Sequence, residues 1–222
     1  MVAEELPPIR TPVLTEELAL ALCSAYRMLE GVAPARDSIV LLLAHSALET
    51  GRWKSCMCWN LGNIKSKEGD GRSWTYFRCS EIIDGKEVFF EKPSPVARFR
   101  AFHTLTEGAI DHIAFLCRSQ RYAKAWAEVV AGRPREFVRA LKAAGYFTAV
   151  EGPYEDNVAN YFELFKNQLH FEVPPAEPVI DDDTRARTLE LVDRTRTEET
   201  EDFRQGSPLP DDDEAPATDR NT

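Results

Sequence analysis

The chain has 222 residues, 43% of them apolar, and a formal net charge of -10, enough length for one well-packed domain and a remainder. The charge is unevenly placed: residues 1–171 carry 21 acidic and 21 basic side chains, whereas 172–222 carry 16 acidic and 6 basic. No nucleic-acid partner is expected of a neutral body with an acidic tail, and no apolar run approaches the ~20 residues of a membrane span.

Residues 1–14, MVAEELPPIRTPVL, read as an N-terminal extension without the basic and apolar regions of a secretory signal, so a protein made in the cytoplasm is expected. Thr15 is placed to cap a first helix with Glu16 and Glu17 in its first turn. Leu18, Leu22, Tyr26 and Leu29 form its apolar stripe and Gly31 ends it. A second helix starts at Asp37 or Ser38 and runs to Glu49, with Gly51 as its stop. Nearly every position from Ile39 to Leu48 is apolar, which predicts burial on most sides.

Only the stretch WTYFRCSEIIDGKEVFFE reads as extended. Its Asp84-Gly85 pair favours a two-residue hairpin turn, which pairs Ile83 with Lys86 and Glu81 with Val88. Alternation then puts Cys79, Glu81, Val88 and Phe90 on one face, and Ile82, Glu87 and Phe89 on the other. Thr104 and Glu107 form a capping box opening a helix through Cys117. Further helices follow in RYAKAWAEVVAG, from Pro134 to Gly145, and after Pro153 with Val158, Phe162, Phe165 and Leu169 facing inward. The fold class is mainly α with a small β-hairpin insert, over residues 15–171. Residues 172–222, rich in Asp and Pro with almost no aromatics, read as a mostly disordered acidic tail with one short helix near Arg185–Arg194.

Five cysteines without framework spacing, and Cys56-Met57-Cys58 without a histidine pair, predict reduced thiols and no metal site. The chemistry-bearing residues cluster elsewhere. Leu42, His45, Ser46 and Glu49 share one face of the second helix, a polar stripe on a core helix. Glu49 lies at the negative end of the helix dipole, and the dipole and partial burial both favour its protonated form, as general-acid cleavage of a glycosidic bond requires. A surface ion pair with Arg52 or Lys54 is the alternative. Trp53 and Trp59 follow as faces for sugar stacking or as core residues, Asn60 as a hydrogen-bonding or a turn residue, and Gly62 as a point of close backbone approach to a ligand.

These residues carry a resemblance. AHSALETGRW…WNLGNIKS is similar to the bacterial cell-wall glucosaminidases of the lysozyme-like superfamily, glycoside hydrolase family 73. The similarity continues through SEIIDGKEVFF, ARFRAFHTLTEGAIDHIAFL, RYAKAW and LKAAGYFTAVEGPY. It implies a lysozyme-like helical domain acting on peptidoglycan glycan strands without a cofactor, with Glu49 as catalytic acid and Glu81 as second carboxylate. It also implies Tyr146 and Tyr154 near the acid, holding an acetamido group or water, beside Trp59 and Asn60 in substrate binding. Ala149 departs from the aspartate that the family often has there. The activity expected is endo-β-N-acetylglucosaminidase. Its rivals are a lytic transglycosylase or muramidase on the same scaffold, and a non-catalytic component of a phage-like particle. Such an enzyme would reach the wall after release or delivery, with a delivery or inhibitor protein as a further partner.

Overall fold

The computed structural model describes residues 3–83, 86–147 and 150–174. Six α-helices form its body: α1 Thr15–Glu30, α2 Arg36–Glu49, α3 Leu105–Cys117, α4 Ala123–Ala131, α5 Pro134–Ala143 and α6 Glu151–Gln168. Helix α2 is the axis of the core. Every residue from Ser38 to Leu48 is buried, because α1, α4 and α6 all pack against it. That explains an apolar run with no amphipathic stripe: no face of the helix meets water.

The helix boundaries follow local chemistry with small departures. Thr15 is the first residue of α1 and Leu14 the cap position, so the predicted threonine cap is absent; Gly31 closes the helix at φ 72°. Thr104 accepts from the Glu107 N–H at 3.2 Å, and Glu107 reaches back to the N–H of His103 at 2.9 Å, one residue before the predicted partner. Helix α6 begins two residues ahead of Pro153, which sits in its first turn.

Two small antiparallel sheets flank the helices. Strands β2 (Cys79–Ile83) and β3 (Lys86–Phe90) pair in the expected register, with Glu81 opposite Val88 and Ile83 opposite Lys86; the Asp84-Gly85 turn lies outside the described residues. The second sheet is a correction to the sequence reading. Strand β1 (Trp74–Tyr76) does not extend the hairpin but pairs with β4 (Arg98–Arg100), Trp74 opposite Arg100. Three-residue strands are too short for alternation to announce them.

The first residues are no free extension. Leu6 donates to the carbonyl of Trp74, Thr11 to that of Cys56, and Cys58 back to that of Ile9. The Thr11 hydroxyl also accepts from the N–H of Trp59 at 3.1 Å, so this strap stitches the loop after α2 to β1. At the other end the packed chain runs past residue 171. Arg36 donates to the carbonyl of Leu169 at 2.7 Å and Arg27 to that of Pro174, while Phe171 and Val173 rest on the core. The expected boundary at 171/172 therefore falls inside packed chain. The acidic tail beyond Pro174, with its expected helix at Arg185–Arg194, lies outside the described residues. No helix among those described is long and apolar enough to cross a membrane.

Candidate active site

Glu49 ends α2 with its side chain 15% exposed, at the rim of a helix that is otherwise sealed. Its partner comes from α6. The hydroxyl of Tyr154 donates to Glu49 Oε1, and the Tyr154 ring stacks on Phe147 at 4.1 Å and 7°. Tyr146 lies in the same region, 2% exposed, its ring 5.4 Å from that of His45. Burial and then the Glu49 carboxylate hold the phenols of Tyr146 and Tyr154 well above the usual tyrosine range. Both phenols therefore keep their protons at neutral pH.

The structure thus brings Tyr154 to the acid and places Tyr146 in the same region, both of them buried. Trp53 is also interior: it stacks on Phe165 at 5.6 Å, and its indole N–H donates to Ser46 at 3.0 Å. Its expected sugar face is covered. Trp59 remains half-buried and is the aromatic of this loop that still offers surface.

The loop from Gly51 to Ser66 is held by its own backbone. Arg52, Trp53, Cys58, Trp59 and Asn63 all take positive φ, conformations that L-residues adopt only when the surroundings over-determine them. Asn60 supplies much of that determination. It is 3% exposed. Its amide donates to the carbonyls of Ile64 at 2.9 Å and Arg100 at 3.0 Å, and its oxygen accepts from the N–H of Ile64 at 2.9 Å. In this structure the Asn60 amide is engaged in holding the loop. Gly62 serves packing as well, since a Cβ there would come 3.0 Å from His112 Nδ1. Gly108 lets α3 approach the loop: a Cβ at that position would stand 2.1 Å from the carbonyl oxygen of Trp59.

The loop then delivers a cation that the sequence reading had quoted without a role. Lys65 Nζ lies 3.4 Å from Glu81, 2.6 Å from the carbonyl oxygen of Val96 and 3.5 Å from Cys79 Sγ. Its ammonium also sits 4.0 Å from the Phe99 ring centroid. Glu81, 18% exposed, and Cys79 meet the same lysine because alternation puts them on one face of β2. Glu87, opposite Ile82, is exposed.

Behind the loop, Arg100 binds Asp111 of α3 through both carboxylate oxygens at 2.8 and 3.1 Å, with Arg72 Nε 3.5 Å from the same group. All three are buried, and they lock β4 to α3. A charge set of this kind is costly to break and fixes one arrangement. No sequence signal marked it, since each residue is ordinary in its local window. The five cysteines are free. Burial pushes the thiols of Cys23 and Cys56 up to about 11 and that of Cys117 to about 12. Among the described residues no cluster of three His, Cys, Asp or Glu could hold a metal ion. Thr148 and Ala149, where the sequence departs from the resembled pattern, lie outside those residues.

The arrangement is two carboxylates on separate elements, one against a phenol and one against an ammonium, with a hydrogen-bonded loop between them in the chain. Comparisons with known proteins identify the family and the fold. The family described as mannosyl-glycoprotein endo-beta-N-acetylglucosaminidase, the glucosaminidase family, matches residues 37–168. A peptidoglycan hydrolase mutant from Sphingomonas sp. A1 is similar in structure with a TM-score of 0.50 and 23% identity, over 80% of this chain and 99% of that one. The C-terminally truncated glycoside hydrolase domain of FlgJ from Salmonella typhimurium gives a TM-score of 0.47 and 22% identity, over 69% and 98%. No curated protein matches.

Proposed function

The chain belongs to the glucosaminidase family and is a glycosidase, and from that premise we propose that it hydrolyses the β-1,4 bond after N-acetylglucosamine in the glycan strands of peptidoglycan. The choice of polymer is supported by the cell-wall glucosaminidase motifs in the sequence and by the fold shared with the Sphingomonas peptidoglycan hydrolase.

One observation carries the assignment of the acid. Glu49 is a carboxyl group at the open end of a sealed core helix, held there by a phenol from α6. In the proposed reaction Glu49 protonates the leaving oxygen. Glu81, its carboxylate held beside the Lys65 ammonium, activates water or steadies the oxocarbenium-like centre. Trp59 offers the sugar a stacking face. Peptidoglycan lies outside the cytoplasm, so the proposed activity is exercised at the cell wall.

Mass spectrometry of muropeptides released from purified sacculi tests the reading. It predicts fragments with a reducing-end N-acetylglucosamine. Reducing-end muramic acid would make the protein a muramidase, and an anhydromuramic end a lytic transglycosylase. Glycan binding without cleavage would make it a wall-binding component.

A further inference from the structure

Tyr154 is not the only group that approaches Glu49. One turn back on α2, His45 Nε2 lies 3.5 Å from Glu49 Oε1, the same oxygen that accepts from Tyr154. Helical i, i+4 spacing dictates the approach. The His45 ring is 1% exposed and enclosed on several sides. His112 of α3 stacks on it with centroids 5.2 Å apart, Phe137 of α5 meets it edge-on at 5.1 Å, and Tyr146 tilts against it at 5.4 Å. The titratable groups facing the pair are thus His112, Tyr146 and Tyr154. The carboxylates next to these in sequence are engaged elsewhere, Asp111 by Arg100 and Glu155 by Arg135 and Arg139.

No group among the described residues forms a hydrogen bond with either ring nitrogen of His45. A buried imidazole without a partner is costly, which gives weight to the approach of Nε2 to Glu49 Oε1 at 3.5 Å. A carboxylate oxygen is an acceptor, so the nitrogen facing it carries the proton. The geometry assigns His45 as a positioning residue for Glu49: its Nε2–H and the Tyr154 hydroxyl converge on Oε1, leaving Oε2 as the oxygen that carries the transferable proton.

The assignment rests on the reading of Glu49 as general acid and deepens it. When the Oε2–H bond breaks, the proton passes to the glycosidic oxygen. The bond from the anomeric carbon to that oxygen breaks with its electron pair going to the oxygen. Glu49 is left with a negative charge that did not exist before the step. The Tyr154 hydroxyl already donates to Oε1 and His45 Nε2 stands 3.5 Å from the same oxygen, so both are placed to receive that charge. A donor that strengthens as charge develops lowers the barrier rather than merely binding substrate. At 3.5 Å the His45 contact is longer than an ordinary hydrogen bond; it shortens as the charge forms.

Three variants of the full chain test this: His45→Leu, which removes the donor; His45→Gln, whose terminal amide can reach the same oxygen; and Glu49→Gln as the reference. The first readout needs no substrate. Glutamate side-chain carboxyls are labelled with 13C and followed by NMR against pH, Glu49 being identified by the signal lost in Glu49→Gln. In His45→Leu the Glu49 midpoint rises by about one pH unit, and in His45→Gln it returns most of the way. The second readout is turnover on solubilised glycan strands. His45→Leu loses about tenfold in kcat with KM nearly unchanged, its alkaline limb moves to higher pH, and His45→Gln recovers most of the rate. An unmoved midpoint in His45→Leu overturns the assignment, as do equal rate losses in both variants with unaltered pH profiles, which would indicate packing alone. If His45→Leu does not fold, His45→Asn, too short to reach Oε1, takes its place with the same expectations. A wild-type chain that cleaves no glycan while the midpoint shift is present overturns the proposed function and leaves the His45–Glu49 contact standing.

Discussion

The hydroxyl of Tyr154 donates to the carboxyl of Glu49 although 105 residues separate them in the chain. The contact joins the N-terminal turn of α6 to the C-terminal end of α2, and the stacking of Tyr154 on Phe147 holds the ring in place. Tyr154→Phe keeps that stacking and removes only the hydroxyl. It should cost about 1 kcal/mol of stability and roughly tenfold in turnover, measured by thermal melting and by release of muropeptides. Wild-type turnover in a folded Tyr154→Phe variant would show the contact to be structural only.

Glu49→Gln preserves shape and removes the proton donor. Clearing of purified sacculi should slow by ~10² or more, with melting close to that of the parent because the group stands at the open end of α2. A variant that clears sacculi at the parental rate would mean that the acid lies elsewhere.

The hairpin predicts an asymmetry. Glu81 shares its face with Cys79 and pairs with Lys65, whereas Glu87 is exposed on the other face. Glu81→Gln should lower turnover strongly while glycan binding survives, Glu87→Gln should be mild, and Lys65→Met should reproduce part of the Glu81 effect. Sedimentation with insoluble sacculi separates binding from cleavage. A larger loss at Glu87 than at Glu81 is the result that the register forbids. Good tolerance of Glu81→Gln with anhydromuramic products would indicate the lytic mechanism.

Stability should depend on pH through His112. Burial first and the neighbouring His45 second lower its pKa from 6.5 to about 3, so the unfolded chain binds a proton there that the folded chain refuses. Stability contributed by the neutral ring is complete above about 6.5 and declines as pH falls toward about 3, by up to about 1.4 kcal/mol per pH unit. Urea denaturation at a series of pH values measures the slope. His112→Asn removes the titrating group and should flatten the curve in that window; an unchanged slope would assign the dependence to other groups.

Both ends of the described chain contribute to stability. Removing residues 1–13 deletes the bonds from Leu6 to Trp74, from Thr11 to Cys56 and from Cys58 to Ile9, and should lower both the melting temperature and the activity, since these bonds hold the loop that carries Trp59 and Lys65. Truncation after Gln168 should also destabilise, through loss of the Arg36 and Arg27 contacts and of Phe171 and Val173. Truncation after Pro174 should leave melting and catalysis nearly intact. A large effect of that last cut would show that the acidic segment packs on the domain.

Much of this protein was legible in the sequence wherever the governing physics is local. The ends of α1 and α4 follow from Gly31 and Gly132 and the start of α3 from its Thr104 cap, the burial of α2 from its apolar run, and the hairpin register from a two-residue turn and strict alternation. The position of Glu49 at a helix end was equally local. The sequence could not say which polar residues would be consumed by their own scaffold. Asn60 spends its amide on Arg100, 40 residues away. Trp53 is covered by Phe165, and Thr11 holds the N–H of Trp59 from 48 residues upstream. Lys65 meets Glu81 because the pairing of β1 with β4 and the Asn60 turn bring loop and hairpin together. His45 faces Glu49 by helix spacing alone, yet the enclosure that isolates the pair is assembled from α3, α5 and the segment beyond. Local propensity acts over a few residues, whereas hydrogen-bond satisfaction in a core is decided by whichever distant groups packing brings within about 3 Å. The chemistry-bearing residue types were therefore visible in the chain, and which of them are consumed as supports or core was decided only by the tertiary fold.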